Sequence, residues 1–320
     1  MPLSFDLSLN ELQTYNGRNP RPSDFDDFWD DGLAEVRAID PQVTLEPAEF
    51  QTDYADCFDM TFTGTAGARV HAQLLRPREP QEGHPAVIKF HGYSANAGGW
   101  SEKLGYVAAG FTVAAMDCRG QGGPSEDRGG VQGTTLRGHI VRGLDGPPGN
   151  MLFRHIFLDT VQLARVVMAL PGVDENRIGV YGGSQGGGLS LACAALEPRI
   201  KRAAPLYPFL CDYARVWEMD LDEMAYEELR YYFRRFDPLH ERETAVFTQL
   251  GYIDVQHLAP RIRGEVLMAT ALRDQICPPS TQFAAYNKIT APKEMTLYPD
   301  FGHEDLPGFD DRIFRFMLEL

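Results

Sequence analysis

Tyr181-Gly182-Gly183-Ser184-Gln185-Gly186-Gly187-Gly188 joins the apolar run Arg177-Ile178-Gly179-Val180-Tyr181 to an apolar, helix-like segment that starts at Leu189. The pattern predicts a strand, a sharp turn and a helix. A serine hydroxyl is a poor nucleophile unless the backbone thrusts it into a pocket, and a Gly-x-Ser-x-Gly turn does this by straining the serine between residues without side chains. Ser184 is therefore the candidate nucleophile. Three successive glycines could also cradle a phosphate. The loop, however, lacks the Gly-Lys-Ser/Thr ending and the Gly-x-Gly-x-x-Gly spacing with a following ribose-binding acid.

Outward from this turn, apolar strands are predicted at 86–90, 111–116, 177–181, 202–206, 265–271 and 294–298, with helices between several of them. In the helix predicted at 153–170, Phe153, Ile156, Phe157, Leu163, Ala164 and Val167 recur with a period near 3.6, so one face should be buried. Two earlier strand-like runs, 54–63 and 69–75, flank Gly64-Thr65-Ala66-Gly67-Ala68 and read as an antiparallel meander. Antiparallel strands feeding a βαβ series imply an α/β fold whose central sheet is mostly parallel and flanked by helices. We expect one domain over 1–320, with an N-terminal arm at about 1–45. In that arm the helix start Ser23-Asp24 precedes Phe25, Phe28, Trp29, Leu33 and Val36. A helical, aromatic-rich insertion at about 212–263 should cap the site. The stretch 120–150 holds ten glycines and three prolines, too long for an ordinary connection and so functional or interfacial.

The net charge of −15 argues against nucleic acid as a partner. Residues 1–15 show neither a basic n-region nor an unbroken apolar run, and no later stretch is long and apolar enough for a membrane span, so a soluble cytoplasmic protein is expected. Cys57, Cys118, Cys193, Cys211 and Cys277 are odd in number and form no Cys-x-x-Cys pair, which argues against a disulfide framework or a zinc site.

A serine nucleophile needs a base and an acid to orient it, and in the α/β-hydrolase fold these follow in the order serine, acid, histidine. Of the histidines after Ser184, His240 and His257 fall in the insertion and read as packing or surface residues. His303 follows the last predicted strand and is the expected base. Asp274, just past the strand at 265–271, is the favoured acid; its rival is Asp300, three residues from His303, where a short link would hinder reach to the far imidazole nitrogen. The oxyanion hole is assigned to the N–H groups of Gln185 and of Tyr93, in the turn His91-Gly92-Tyr93 after an early strand, with His91 itself structural.

With these residues placed, the sequence resembles the acetyl xylan esterase and cephalosporin C deacetylase family, carbohydrate esterase family 7. The resemblance rests on Arg119-Gly120-Gln121, Gly182-Gly183-Ser184-Gln185-Gly186 and His303-Glu304, and extends through Tyr232-Phe233-Arg234-Arg235 and Gly251-Tyr252-Ile253-Asp254. It implies an α/β-hydrolase with the triad Ser184, Asp274 and His303 and oxyanion donation from Tyr93 and Gln185. Arg119, Gly120, Gln121, Gly182, Gly186 and Glu304 would support the site. It implies deacetylation of short xylo-oligosaccharides and of cephalosporin C, in a homohexamer, with no metal or organic cofactor. A prolyl oligopeptidase-like peptidase shares the triad order but usually carries a large extra domain. A non-catalytic hydrolase-fold binding protein would lack a triad member.

Overall fold

Strand β5 (Thr112–Met116) is buried at every position, whereas β2 (Ala55–Thr63) alternates between buried and half-buried residues. That contrast follows from the sheet. The computed structural model describes residues 5–128 and 138–320, and among them nine strands form one sheet. The others are β1 (Thr44–Pro47), β3 (Arg69–Pro77), β4 (His84–Phe90), β6 (Val173–Gly183), β7 (Ile200–Leu206), β8 (Glu265–Ala271) and β9 (Lys293–Tyr298), and the spatial order is β1-β2-β3-β5-β4-β6-β7-β8-β9. β1, β2, β3 and β5 pair antiparallel, and every pair from β5–β4 to β8–β9 is parallel. Parallel strands with both faces covered must be apolar throughout, while strands of an antiparallel meander need only one apolar face.

All eight strands expected from the sequence are present. The ninth, β1, is exposed along its length and ends in Pro47. It carries no alternating apolar pattern, and proline is tolerated there because the strand lies at the sheet edge. Most of the glycine-rich stretch falls on described residues, but its 129–137 portion lies outside them.

The helix Leu152–Met168 departs from the expected single buried face: all its residues but His155 and Arg165 are buried. The N-terminal helix Phe25–Ala38 accounts for this by covering its outer side. Trp29 is fully buried and stacks on Phe157 at 5.7 Å, and Arg165 Nη1 donates to the Val36 carbonyl at 2.8 Å. Ahead of that helix, the arm is pinned by buried Asp212, whose carboxylate accepts hydrogen bonds from the Tyr15 hydroxyl (2.8 Å) and the N–H groups of Arg18 and Asn19.

One charged pair lies inside the core. Arg119, just past β5, is fully buried and meets Asp159 of the helix Leu152–Met168 through Nε (2.7 Å) and Nη2 (2.6 Å), with further donation to the Thr65 carbonyl. Burial alone raises the Asp159 carboxyl, and the two-point guanidinium contact opposes it. Removing one partner of such a pair strands the other charge in an apolar medium. Arg119→Ala should thus destabilise the fold by about 3–5 kcal/mol in chemical denaturation. A loss below about 1 kcal/mol, the range of exposed pairs, would show that the pair does not anchor the core.

Candidate active site

The carboxyl ends of the parallel strands all open on one edge, where open α/β sheets place their ligands. Ser184 leaves β6 there with φ +56° and ψ −119°, a conformation L-residues seldom adopt, and its neighbour Gln185 begins the helix Gln185–Leu196. The glycines make this turn possible. A Cβ on Gly182 would lie 2.4 Å from the Phe90 carbonyl oxygen, and one on Gly186 only 2.1 Å from the same atom. A Cβ on Gly187 would lie 2.8 Å from the Leu206 carbonyl oxygen and one on Gly188 2.4 Å from that of Phe209, so the triple glycine reflects a helix start pressed against neighbouring backbone.

Asp274 follows β8 and is fully buried. Its Oδ1 accepts the N–H groups of Ile276 (2.9 Å) and Cys277 (2.8 Å), and its Oδ2 lies 2.8 Å from His303 Nδ1. The structure therefore pairs His303 with Asp274, not with Asp300. A carboxylate at Nδ1 makes that nitrogen the donor and leaves Nε2 as acceptor, the form a general base requires. Exposed Glu304 holds the turn by accepting the Gly302 N–H at 2.9 Å, and the His303 ring packs against Tyr207 at 4.5 Å. His240 stacks on Phe233 and pairs with Glu243, and His257 is buried beside Phe25, as packing residues would be.

The turn after β4 faces Ser184. Gln121 ties the two sides together: its Oε1 accepts the Ser94 N–H (2.8 Å) and Gln185 Nε2 (3.1 Å), while its Nε2 donates to Gln185 Oε1 (2.8 Å). Gly120 sits at φ +72°, with a Cβ position only 2.9 Å from Arg142 Nη1. His91 accepts the Cys118 N–H through Nε2 and contacts the Gly92 carbonyl through Nδ1, which makes it structural. The cleft holds about 670 Å³ and is bounded by Tyr93, Ser184, Met224, Glu228, Ile276 and His303 among others. Tyr207 and Phe209 are not among the cleft-lining residues; their rings pack against His303 and Tyr93.

Two participants escape sequence reading. Cys277, fully buried, stands beside Ser184, and burial pushes its thiol pKa up. Ser184 and His303 line the same cleft. Asp274, Cys277 and His303 also bring potential metal-ligand atoms within 4.8 Å of one another, a cluster invisible in the spacing of the cysteines. The carboxylate of that cluster is already engaged by the imidazole and two N–H groups, which suits orientation of a base better than a metal shell. The second participant is Glu228, from the helix Glu227–Phe236, which lines the cleft although it is 1% exposed.

A model of the acetyl xylan esterase (AXE1) family covers residues 1–320. The chain belongs to this family of carboxylic ester hydrolases. It superposes on the crystal structure of acetyl xylan esterase 1 from a Thermoanaerobacterium species with a TM-score of 0.97 and 59% identity, over 98% of this chain and 99% of the other. An acetyl xylan esterase from a Paenibacillus species gives 0.93 and 37%, over 97% and 99%. An acetyl esterase of Xylanibacter ruminicola is 29% identical over 286 residues, which is 87% of this family member but 62% of that longer protein. A prolyl endopeptidase shares the fold alone, at 17% identity and a TM-score of 0.60 over 38% of its chain.

The Asp274–His303 contact yields a direct comparison. Asp274→Asn should lower turnover of an acetyl ester by about three to four orders of magnitude, because the amide favours the wrong imidazole tautomer. Asp300→Asn should leave turnover within a few-fold of the parent. The reverse ranking in steady-state kinetics would reassign the acid.

Proposed function

We propose that the protein is a serine carboxylesterase that removes acetyl groups from short acetylated xylo-oligosaccharides and from the acetoxymethyl group of cephalosporin C. The observation that carries this reading is the strained Ser184 in the same cleft as the Asp274-oriented His303. Ser184 Oγ attacks the acetyl carbonyl and gives its proton to His303 Nε2. The oxyanion is stabilised by the N–H groups of Gln185 and Tyr93, aided by the positive end of the helix Gln185–Leu196. His303 then protonates the leaving alcohol, and a water molecule activated by the same imidazole releases acetate and restores the serine.

The acyl group has to fit between Ser184 and a wall formed by Tyr93, Ala225 and Ile276, while the alcohol faces the open side of the cleft. A methylene that fits contributes only about 1–3 kcal/mol, but one without room adds strain, so exclusion discriminates more steeply. The single body over 1–320, with an arm and a capping insertion, fits this reading, and a cytoplasmic enzyme would act on small imported substrates. Among the described residues no helix is long and apolar enough to cross a membrane.

Ser184→Ala should reduce turnover roughly 10⁴-fold or more in a folded protein. Near-normal activity in that variant would overturn the nucleophile. Across p-nitrophenyl esters of rising chain length, acetyl and propionyl should be cleaved well and octanoyl poorly, with acetylated xylo-oligosaccharide and cephalosporin C both deacetylated. A rate maximum at long acyl chains, or faster cleavage of peptides, would reject the deacetylase reading.

The assembly is proposed to be a hexamer, as the family resemblance implies. Light scattering at micromolar concentration should give about six times the 35.8 kDa of one chain. A monomer mass would count against it.

A further inference from the structure

The Glu228 carboxylate is buried at the edge of the cleft, on the helix Glu227–Phe236, and meets both the cleft-lining Tyr93 and the backbone just past His139. Oε1 accepts the Tyr93 hydroxyl, Oε2 accepts the Val141 N–H at 2.8 Å, and the Ile140 N–H also donates to this carboxylate. The Tyr93 hydroxyl in turn accepts the His139 N–H at 3.4 Å. Three successive backbone N–H groups, at 139, 140 and 141, therefore converge on one carboxylate–phenol pair. Converging donors of this kind form a concave site that demands an acceptor. Burial pushes the Glu228 carboxyl up to about 7, and the hydrogen bonds from Tyr93, Val141 and Ile140 pull the other way by favouring the charged form. The Tyr93 ring is fixed as well, edge-on to Phe209 at 5.5 Å and to His139 at 4.9 Å.

The turn that carries Tyr93 is thus gripped at two points. Gln121 holds the Ser94 N–H from below, and Glu228 holds the Tyr93 hydroxyl from above. Ser94 between them stands at φ +59°, a conformation that persists only where its surroundings impose it. We propose that Glu228 is a positioning residue which, by binding the Tyr93 hydroxyl and the N–H groups of residues 140 and 141 together, holds the oxyanion-side turn opposite Ser184. It acts through Tyr93 and touches no reacting atom, and the inference rests on the serine esterase reading above. Glutamine cannot substitute. Its NH₂ group would point a donor at either the N–H groups or the phenol, leaving a buried donor unmatched.

The test is steady-state kinetics on p-nitrophenyl acetate with Glu228→Gln, Tyr93→Phe and the double variant, alongside thermal melting and labelling of Ser184 by a fluorophosphonate. Glu228→Gln should lower kcat about 10- to 100-fold with KM within a few-fold of the parent, since a misplaced oxyanion donor weakens only the transition state. Tyr93→Phe, which keeps the backbone N–H and removes one hydroxyl, should lower kcat in the same direction. The double variant should be no worse than Glu228→Gln, because both changes break the same link. An unchanged kcat in either single variant, a loss confined to KM, or multiplicative effects in the double variant would overturn the proposal. If Glu228→Gln does not fold, Tyr93→Phe decides alone by the same kcat criterion. A parent enzyme that is neither labelled at Ser184 nor active on acetyl esters would instead refute the esterase reading, so the two failures are distinct.

Discussion

The constraint on which the site depends is the meeting of three backbones at the end of β4. The Phe90 carbonyl lies so near Gly182 and Gly186 that neither could carry a methyl group without collision. Because strand β6 and the following helix both press on that oxygen, only Ser184 lies between them to reverse the chain, and it is held at positive φ. The same approach sets the helix N-terminus beside the serine. Strain, exposure of the hydroxyl and dipole alignment are one geometrical fact.

That turn would move if its neighbours moved, and buried polar groups hold them. Arg119, three residues past β5, ties that loop to the helix Leu152–Met168, in a place where a lone charge could not survive. Two residues on, Gln121 closes a paired-amide contact with Gln185 and holds the Ser94 N–H. One tripeptide thus connects the core to both sides of the proposed oxyanion hole, and Gly120 between them lets the chain turn at positive φ. Asp274 plays a comparable part after β8, where two N–H groups fix one oxygen and leave the other directed at His303. Each device spends a buried polar group on direction, with stability following only when every partner is present.

The sequence by itself determined the sheet, the elbow and the order of the site. Apolar runs with β-branched residues, separated by helical periodicity, can pack only as a covered parallel sheet, and β2 and β3 betray their one-sided burial by alternation. Glycines on either side of Ser184 signal close backbone approach because no other residue permits it. His303 and Asp274 were legible from their positions after strands, since the fold delivers loops to a common edge. The proposed hexamer and cephalosporin substrate rest on the family resemblance alone, since no local pattern encodes them.

What only the tertiary structure decided are contacts between residues far apart in the chain whose local signals are weak or misleading. Edge strand β1 has no apolar pattern, because it buries no face. The helix Leu152–Met168 is enclosed by an N-terminal helix more than a hundred residues earlier, so its periodicity understates its burial. Tyr207 and Phe209 follow the strand β7 as pocket walls would, yet their rings turn inward to support His303 and Tyr93. Cys277 looks like an ordinary core thiol, and Glu228 like one of two acids opening a charged helix. Their positions beside Ser184 and Tyr93 come from how the insertion and the β8 loop fold back over the sheet, and a spacing rule carries no information about a distance set by packing.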